Sequence, residues 1–306
     1  MKIRVLAAAA LVLLSAVLAA CDMGPAGQTN QRKVVVSSKN FTEAALVGEM
    51  YAQVLENAGI PIERKMNLGA TDVAQAALEK GGAADGIDLY PEYNGTGQLA
   101  FLKCDPISDP HQLYDTVKQG YADKFKLTWL ERSPMNDTQA VITTQEVSDS
   151  KGIKTLQDLC DKAGELTMIA RAEFKDRADA LPALQRIYGG CEFKELKAVE
   201  SGDLVFAALL NGQADVAASD STAGPIAGNN LVLLEDPKGY GGPYNIAPVV
   251  RDDVLALYPN IATTLNGLSP KITTEEIARL NWEVDGKKRE VVDVAKEFLT
   301  AQGLLK

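Results

Sequence analysis

A helix–glycine–strand unit that occurs twice limits what this chain can fold into more than any other feature. In the first copy a Gly69-Ala70-Thr71 turn leads into a helix over residues 72–79, a Gly81-Gly82 break and the strand Ile87-Asp88-Leu89-Tyr90. In the second, Gly202-Asp203 opens a helix through Phe206, Leu209 and Leu210. Asn211-Gly212 breaks that helix, and Ala214-Asp215-Val216-Ala217-Ala218 is a strand leading to Ser219-Asp220-Ser221-Thr222. Both strands start beside an acid, and polar side chains gather past their C-terminal ends. Between the copies, residues 156–159, 166–169, 178–187 and 193–196 alternate helix, strand, helix, strand. This alternation predicts parallel sheet covered by helices. Upstream, Val34-Val35-Val36 reads as a first strand and residues 60–66 as a second. Between them, Asn40 and Glu43 have the spacing of a capping box, followed by apolar residues at Leu46, Val47, Met50, Tyr51, Val54 and Leu55. Two copies of one unit imply two similar α/β lobes whose strand ends face a shared cleft. Such a molecule is most simply a ligand trap.

The first twenty residues have a different character. Lys2 and Arg4 precede an apolar run from residue 6 to 18, and Leu18-Ala19-Ala20 places small residues directly before Cys21. The run is short for a membrane span and has the layout of an export signal. Leu-Ala-Ala-Cys resembles the lipobox of bacterial lipoproteins, in which the cysteine is lipidated and becomes the first residue of the mature chain. Residues 1–20 are therefore expected to be a signal peptide and Cys21 a lipid anchor. Residues 21–32, rich in Gly, Pro, Gln and Asn, are expected to be a flexible tether to the outer face of the cytoplasmic membrane.

Without its leader the chain keeps 29 basic residues against 41 acidic ones, a net charge of −12. That balance argues against nucleic acid or anionic lipid as a partner, because both need a basic face. The single histidine, His111, has no nucleophile motif beside it, and no CxxC, HExxH or Gly-rich phosphate loop occurs. Neither an enzymatic activity nor a cofactor or metal is expected. An exported protein meets an oxidising compartment. Cys160 ends the helix before the strand at Leu166, and Cys191 precedes the strand at Phe193. Parallel neighbouring strands would put both cysteines at one edge, so they are expected to form a disulfide and leave Cys104 free.

Several segments, in order from about Val34 to the end, resemble the substrate-binding lipoproteins of ABC importers for osmoprotectants, the glycine betaine, choline and carnitine group. They include Ser38-Lys39-Asn40-Phe41-Thr42-Glu43, Leu68-Gly69-Ala70-Thr71, Asp88-Leu89-Tyr90-Pro91-Glu92-Tyr93-Asn94-Gly95-Thr96, Arg177-Ala178-Asp179 and Leu280-Asn281-Trp282. The pattern is most similar to the branch of low-affinity periplasmic betaine binders. The resemblance implies a two-lobed periplasmic-binding-protein type II fold with two interlobe crossings. It also implies a monomer that delivers a small cationic or zwitterionic solute to a membrane permease. Crossings near residues 137–143 and 244–249 would assign 33–136 and 246–306 to lobe one, and 137–245 to lobe two.

A quaternary ammonium cannot donate a hydrogen bond, so aromatic faces hold it through cation–π attraction. A betaine carboxylate needs Arg, Lys or helix N-terminal amides. By the resemblance, Arg177 is the carboxylate-binding arginine, Lys39 and the amides near Thr71 and Thr96 assist, and Tyr93 and Tyr244 are cage aromatics. Thr222 is expected beside them. Where the family carries two further cage tyrosines, this chain has Gln139 and Asp220. Either another aromatic such as Tyr240 fills in and the ligand is a betaine, or Asp220 pairs with a cation that bears N–H groups, as in an amine or amino acid. A receptor that feeds a sensor rather than a transporter stays open as well. An enzyme using Glu92 and Asp220 as a carboxylate pair is the reading from another class, but the motifs carry no sugar-binding aromatics at adjacent turns.

Overall fold

The computed structural model describes residues 32–177 and 180–305. The expected signal peptide, the expected anchor at Cys21 and the expected tether up to Gln31 lie outside the described residues, as do Ala178 and Asp179.

Among the described residues ten strands form two five-stranded sheets. In chain order they are β1 (Val34–Lys39), β2 (Ile62–Gly69), β3 (Leu89–Tyr93), β4 (Leu127–Trp129), β5 (Gln139–Thr143), β6 (Thr167–Arg171), β7 (Glu195–Val199), β8 (Val216–Asp220), β9 (Val232–Leu233) and β10 (Ile246–Arg251). The first sheet runs β2-β1-β3-β10-β4 and the second β7-β6-β8-β5-β9. Each is parallel over its first three strands and carries an antiparallel fourth, β10 against β3 and β5 against β8. The chain leaves the first sheet after Trp129, builds the whole second sheet, and returns at Ile246. The fold is thus two-lobed α/β.

The repeated unit occupies the same place in each sheet. Helix Thr71–Lys80 leads to β3, and helix Gly202–Leu210 leads to β8. The acid before each strand has the same task. Asp88 accepts hydrogen bonds from the backbone N–H of Val35 and of Gly82, both at 3.0 Å. Asp215 accepts one from the N–H of Thr167 at 2.8 Å. In both cases a carboxylate satisfies an amide at the start of the neighbouring strand, a donor that the ladder would otherwise leave unpaired.

Both faces of each sheet are covered, as parallel sheets require. On one face of the first sheet, Leu46, Val47, Met50 and Tyr51 of the Thr42–Asn57 helix pack with Ile261, Leu265, Ile277 and Phe298 from the C-terminal helices. On the other, Leu78, Tyr90, Tyr121 and Trp129 form a second cluster. The second sheet likewise has Leu159, Met168, Leu184 and Tyr188 on one face and Ile142, Ile169, Val205 and Leu209 on the other. Each such side chain contributes about 1.5–3 kcal/mol by leaving water.

The Asn40–Glu43 capping box does not form. The helix begins at Thr42 with Phe41 as its N-cap, and no side chain caps it. Glu43 turns inward instead, where stronger partners claim its carboxylate. Cys160 and Cys191 are joined as a disulfide across 31 residues, and Cys104 is a free cysteine.

Candidate ligand-binding site

The C-terminal ends of β1 and β3 carry Lys39 and Tyr93, and those of β6 and β8 carry Arg171 and Asp220. These ends converge because a parallel βαβ arrangement points every strand the same way, leaving backbone groups and short turns at one edge. The two crossings run side by side there. Tyr244 donates its N–H to Asn136 Oδ1 at 2.6 Å, and Asp137 donates its own to the Tyr244 carbonyl at 3.3 Å.

A cavity of 620 Å³ opens at this junction. Gly95, Gln98 and Leu99 line it from the first sheet's side, and Arg171, Arg177, Asp220 and Tyr240 from the second's. Asp137, Gln139 and Tyr244 line it from the crossings. Four of the eight expected ligand residues therefore share one cavity, Gln139, Arg177, Asp220 and Tyr244, and Tyr240, the aromatic considered as a replacement, lines it too. Gln139 and Asp220 stand directly opposite each other in the β5–β8 ladder. Glycine at 95 is what lets Tyr244 lie over the turn after β3, since a Cβ there would sit 2.7 Å from the tyrosine ring.

The other four are placed differently. Lys39 is buried, with its ammonium 2.6 Å from Glu92 Oε1 and 4.6 Å above the centre of the Tyr93 ring. Glu92 is fully buried and also accepts from the Tyr90 hydroxyl at 2.8 Å and the Tyr93 N–H at 2.7 Å. Tyr93 is buried and donates its hydroxyl to Glu43 Oε1 at 2.6 Å. Burial, then the Glu43 charge, raises that phenol well above its usual range. Thr96 is half-buried in the short turn Asn94–Thr96 that follows β3. Thr222 is buried and donates to Asp137 Oδ1 at 2.8 Å.

Thr222 and Asp137 also line a second cavity of 480 Å³, together with Phe41, Glu43, Phe206, Asp220, Asn281 and Trp282. It meets the first cavity at Asp137 and Asp220. Burial raises the pKa of Glu43, against the hydrogen bonds of Tyr93, Thr222 and Asn281, and the charge of Asp220 adds to the rise. Burial also raises Asp137 well above its usual range, reinforced by the charges of Glu43 and Asp220. Asn281 donates Nδ2 to Glu43 Oε2 at 3.0 Å and to the Thr222 carbonyl at 2.9 Å. Glu43, Asp137, Arg171 and Asn281 are among the lining residues that sequence reasoning did not single out as ligand contacts. Among the described residues no group of histidine, cysteine and carboxylate side chains could hold a metal ion, and no helix is long and apolar enough to cross a membrane.

Residues 32–301 match the family described as the substrate binding domain of ABC-type glycine betaine transport systems. The chain belongs to this family. It is 34% identical to the glycine betaine-binding protein YehZ of Escherichia coli over 89% of this chain and 92% of that protein. It is 31% identical to the carnitine transport binding protein OpuCC of Listeria monocytogenes over 98% and 97% of the two chains. The crystal structure of a glycine betaine/carnitine/choline ABC transporter protein superposes with a TM-score of 0.84 at 29% identity, covering 90% of this chain and all of that one. This protein is therefore a substrate-binding protein of an osmoprotectant-type ABC importer, and its family's members are binding proteins. Its two sheets agree with a two-lobed fold of that type.

Proposed function

We propose that the protein captures a small zwitterion of the betaine and carnitine charge pattern in this cleft and presents it to a membrane permease. The observation that carries this reading is the cavity where the two sheets meet. Its lining sets Arg171 and Arg177 beside Asp137 and Asp220. Arginine matches a carboxylate in shape and charge, and the acids match a cation. Gln139 and Tyr244 complete the wall, while Lys39, Glu92, Tyr93 and Thr96 hold the first lobe's side of the cleft in shape. The lobes are taken as residues 33–136 with 246–306, and 137–245. Closing them on a bridging solute favours one shape, which the permease can recognise.

Cys21 is proposed as the lipidated first residue of the mature chain, holding a monomer at the outer face of the cytoplasmic membrane. Thermal unfolding in the presence of glycine betaine, carnitine, choline, basic amino acids and, as controls, a neutral sugar and a dicarboxylate tests the receptor reading. At a hundred times its dissociation constant a true solute stabilises by about 2.7 kcal/mol. For a chain of this size that raises Tm by roughly 5–10 °C. If every zwitterion leaves Tm where the sugar leaves it, the reading fails.

A further inference from the structure

The two cavities carry opposite charge. Three arginines, Arg171, Arg177 and Arg186, line the first against two acids, Asp137 and Asp220. The second is lined by five acids, Glu43, Asp137, Asp203, Asp220 and Asp285, against Lys288. A solute lying across their junction would have its carboxylate on the arginine side and its cation among the acids.

The chemistry of the acid side decides what kind of cation fits. Asn281 is 5% exposed, lines the second cavity, and has a side-chain oxygen that meets no donor. Its orientation is fixed, because Nδ2 serves both Glu43 and the Thr222 carbonyl. A buried acceptor without a donor costs about 1–3 kcal/mol. Around it, Glu43 and Asp137 are acceptors as well, each with a carboxylate oxygen engaged by a neighbouring hydroxyl. Asn281 Oδ1 is thus an acceptor at this wall that a solute donor would satisfy.

A trimethylammonium group supplies none, and would take these acceptors out of water with nothing in return. Three aromatic residues, Phe41, Phe206 and Trp282, line the same wall. The Phe41 ring carries the Lys39 ammonium 5.7 Å from its centre, and Trp282 is packed against Gly228 and Gly286.

We propose that the solute's cationic end bears N–H groups, as in a primary amine or guanidinium, and that Glu43, Asp137 and Asn281 form its seat. This specifies the solute class of the receptor reading above and rests on it. The seat also explains why a buried acid, Glu43, and a half-buried one, Asp137, face each other there, since a donor-rich cation between them offsets their repulsion and fills the empty acceptor of Asn281.

Matched pairs that differ only in N-methylation test the proposal: glycine and glycine betaine, 4-aminobutanoate and its trimethylammonio analogue, lysine and its Nε-trimethyl form. Calorimetric titration should show that the N–H member of a binding pair binds at least tenfold tighter than its methylated partner. Glu43→Gln, and separately Asp137→Asn, should remove most of that preference while each variant keeps a cooperative melt; two variants guard against one misfolding. Tighter or equal binding of the methylated members would overturn the proposal and leave the receptor reading standing. Binding by no member of any pair would remove both.

Discussion

The Lys39–Glu92 pair allows a double-mutant cycle whose size follows from the geometry. The ammonium and carboxylate are 2.6 Å apart, and the two side chains are 5% and 0% exposed. At an effective dielectric of about 20 their attraction is about 6 kcal/mol. Desolvating two charges sets several kcal/mol per ion against it, so the intact pair comes close to breaking even. Removing one partner is another matter, because the survivor stays buried without its counter-charge at a cost of about 3–5 kcal/mol. Lys39→Met should therefore lose about 3–5 kcal/mol, and Glu92→Gln a similar amount. The double variant should lose far less than the two together. The assay is equilibrium urea unfolding, with the slope checked for constancy between variants. Because the Lys39 ammonium is committed to Glu92, the double variant should also keep most of its solute affinity. Single variants that each cost under about 1 kcal/mol, or losses that simply add, would refute the reasoning.

Cys160→Ser should cost about 3–4 kcal/mol, since the disulfide closes a loop of 31 residues; unchanged urea midpoints would contradict this. Gly228→Ala should cost about 1–3 kcal/mol and weaken solute binding, because its methyl would enter the space of the Trp282 ring and push the Gly224–Gly228 helix off the Thr274–Asp285 helix. A parent-like Tm would show that the contact is looser than described. The raised pKa values of Glu43 and Asp137 also set a sign for pH dependence. Folding favours the protonated forms, so their contribution is present at low pH and lost as pH climbs from the ordinary carboxylate range through the raised values. Tyr93, Asn281, Thr222, Asp220 and Lys39 face this pair. Glu43→Gln should thus match the parent near about pH 4 and exceed it near about pH 8 in the absence of solute, and a parent more stable at the higher pH would count against it.

The lobe architecture was legible because periodicity is a local signal. A glycine break, an acid and a short apolar strand can be read within twenty residues, and their recurrence identified the shared cleft. Gln139 and Asp220 were visible as substitutions within motifs, but their pairing across the β5–β8 ladder was not. The acidic seat stayed hidden for a physical reason. Asn281 and Glu43 are 238 residues apart, so nothing local marks them as neighbours. Glu43 also satisfied a second rule: three residues after Asn40, it has the spacing of a capping box. In the folded chain the Tyr93 hydroxyl and the Asn281 amide outcompete that local bond, because a buried carboxylate gains more from fixed donors than a helix end gains from a cap it can replace with water. Arg171 was overlooked because it ends a strand with no motif around it. Lys39 was expected against solute because its partner Glu92 lies 53 residues on.

The measurement that bears most directly on the account is a calorimetric titration of the parent and Arg177→Ala with whichever zwitterion raises Tm most. Arg177 lines the cleft cavity on the side where a carboxylate would lie, and its truncation removes the bidentate donor without touching either core. The account predicts that affinity falls more than tenfold while the melting temperature without solute is retained. Equal affinity in the two proteins would mean that the solute is not held by its carboxylate in this cleft.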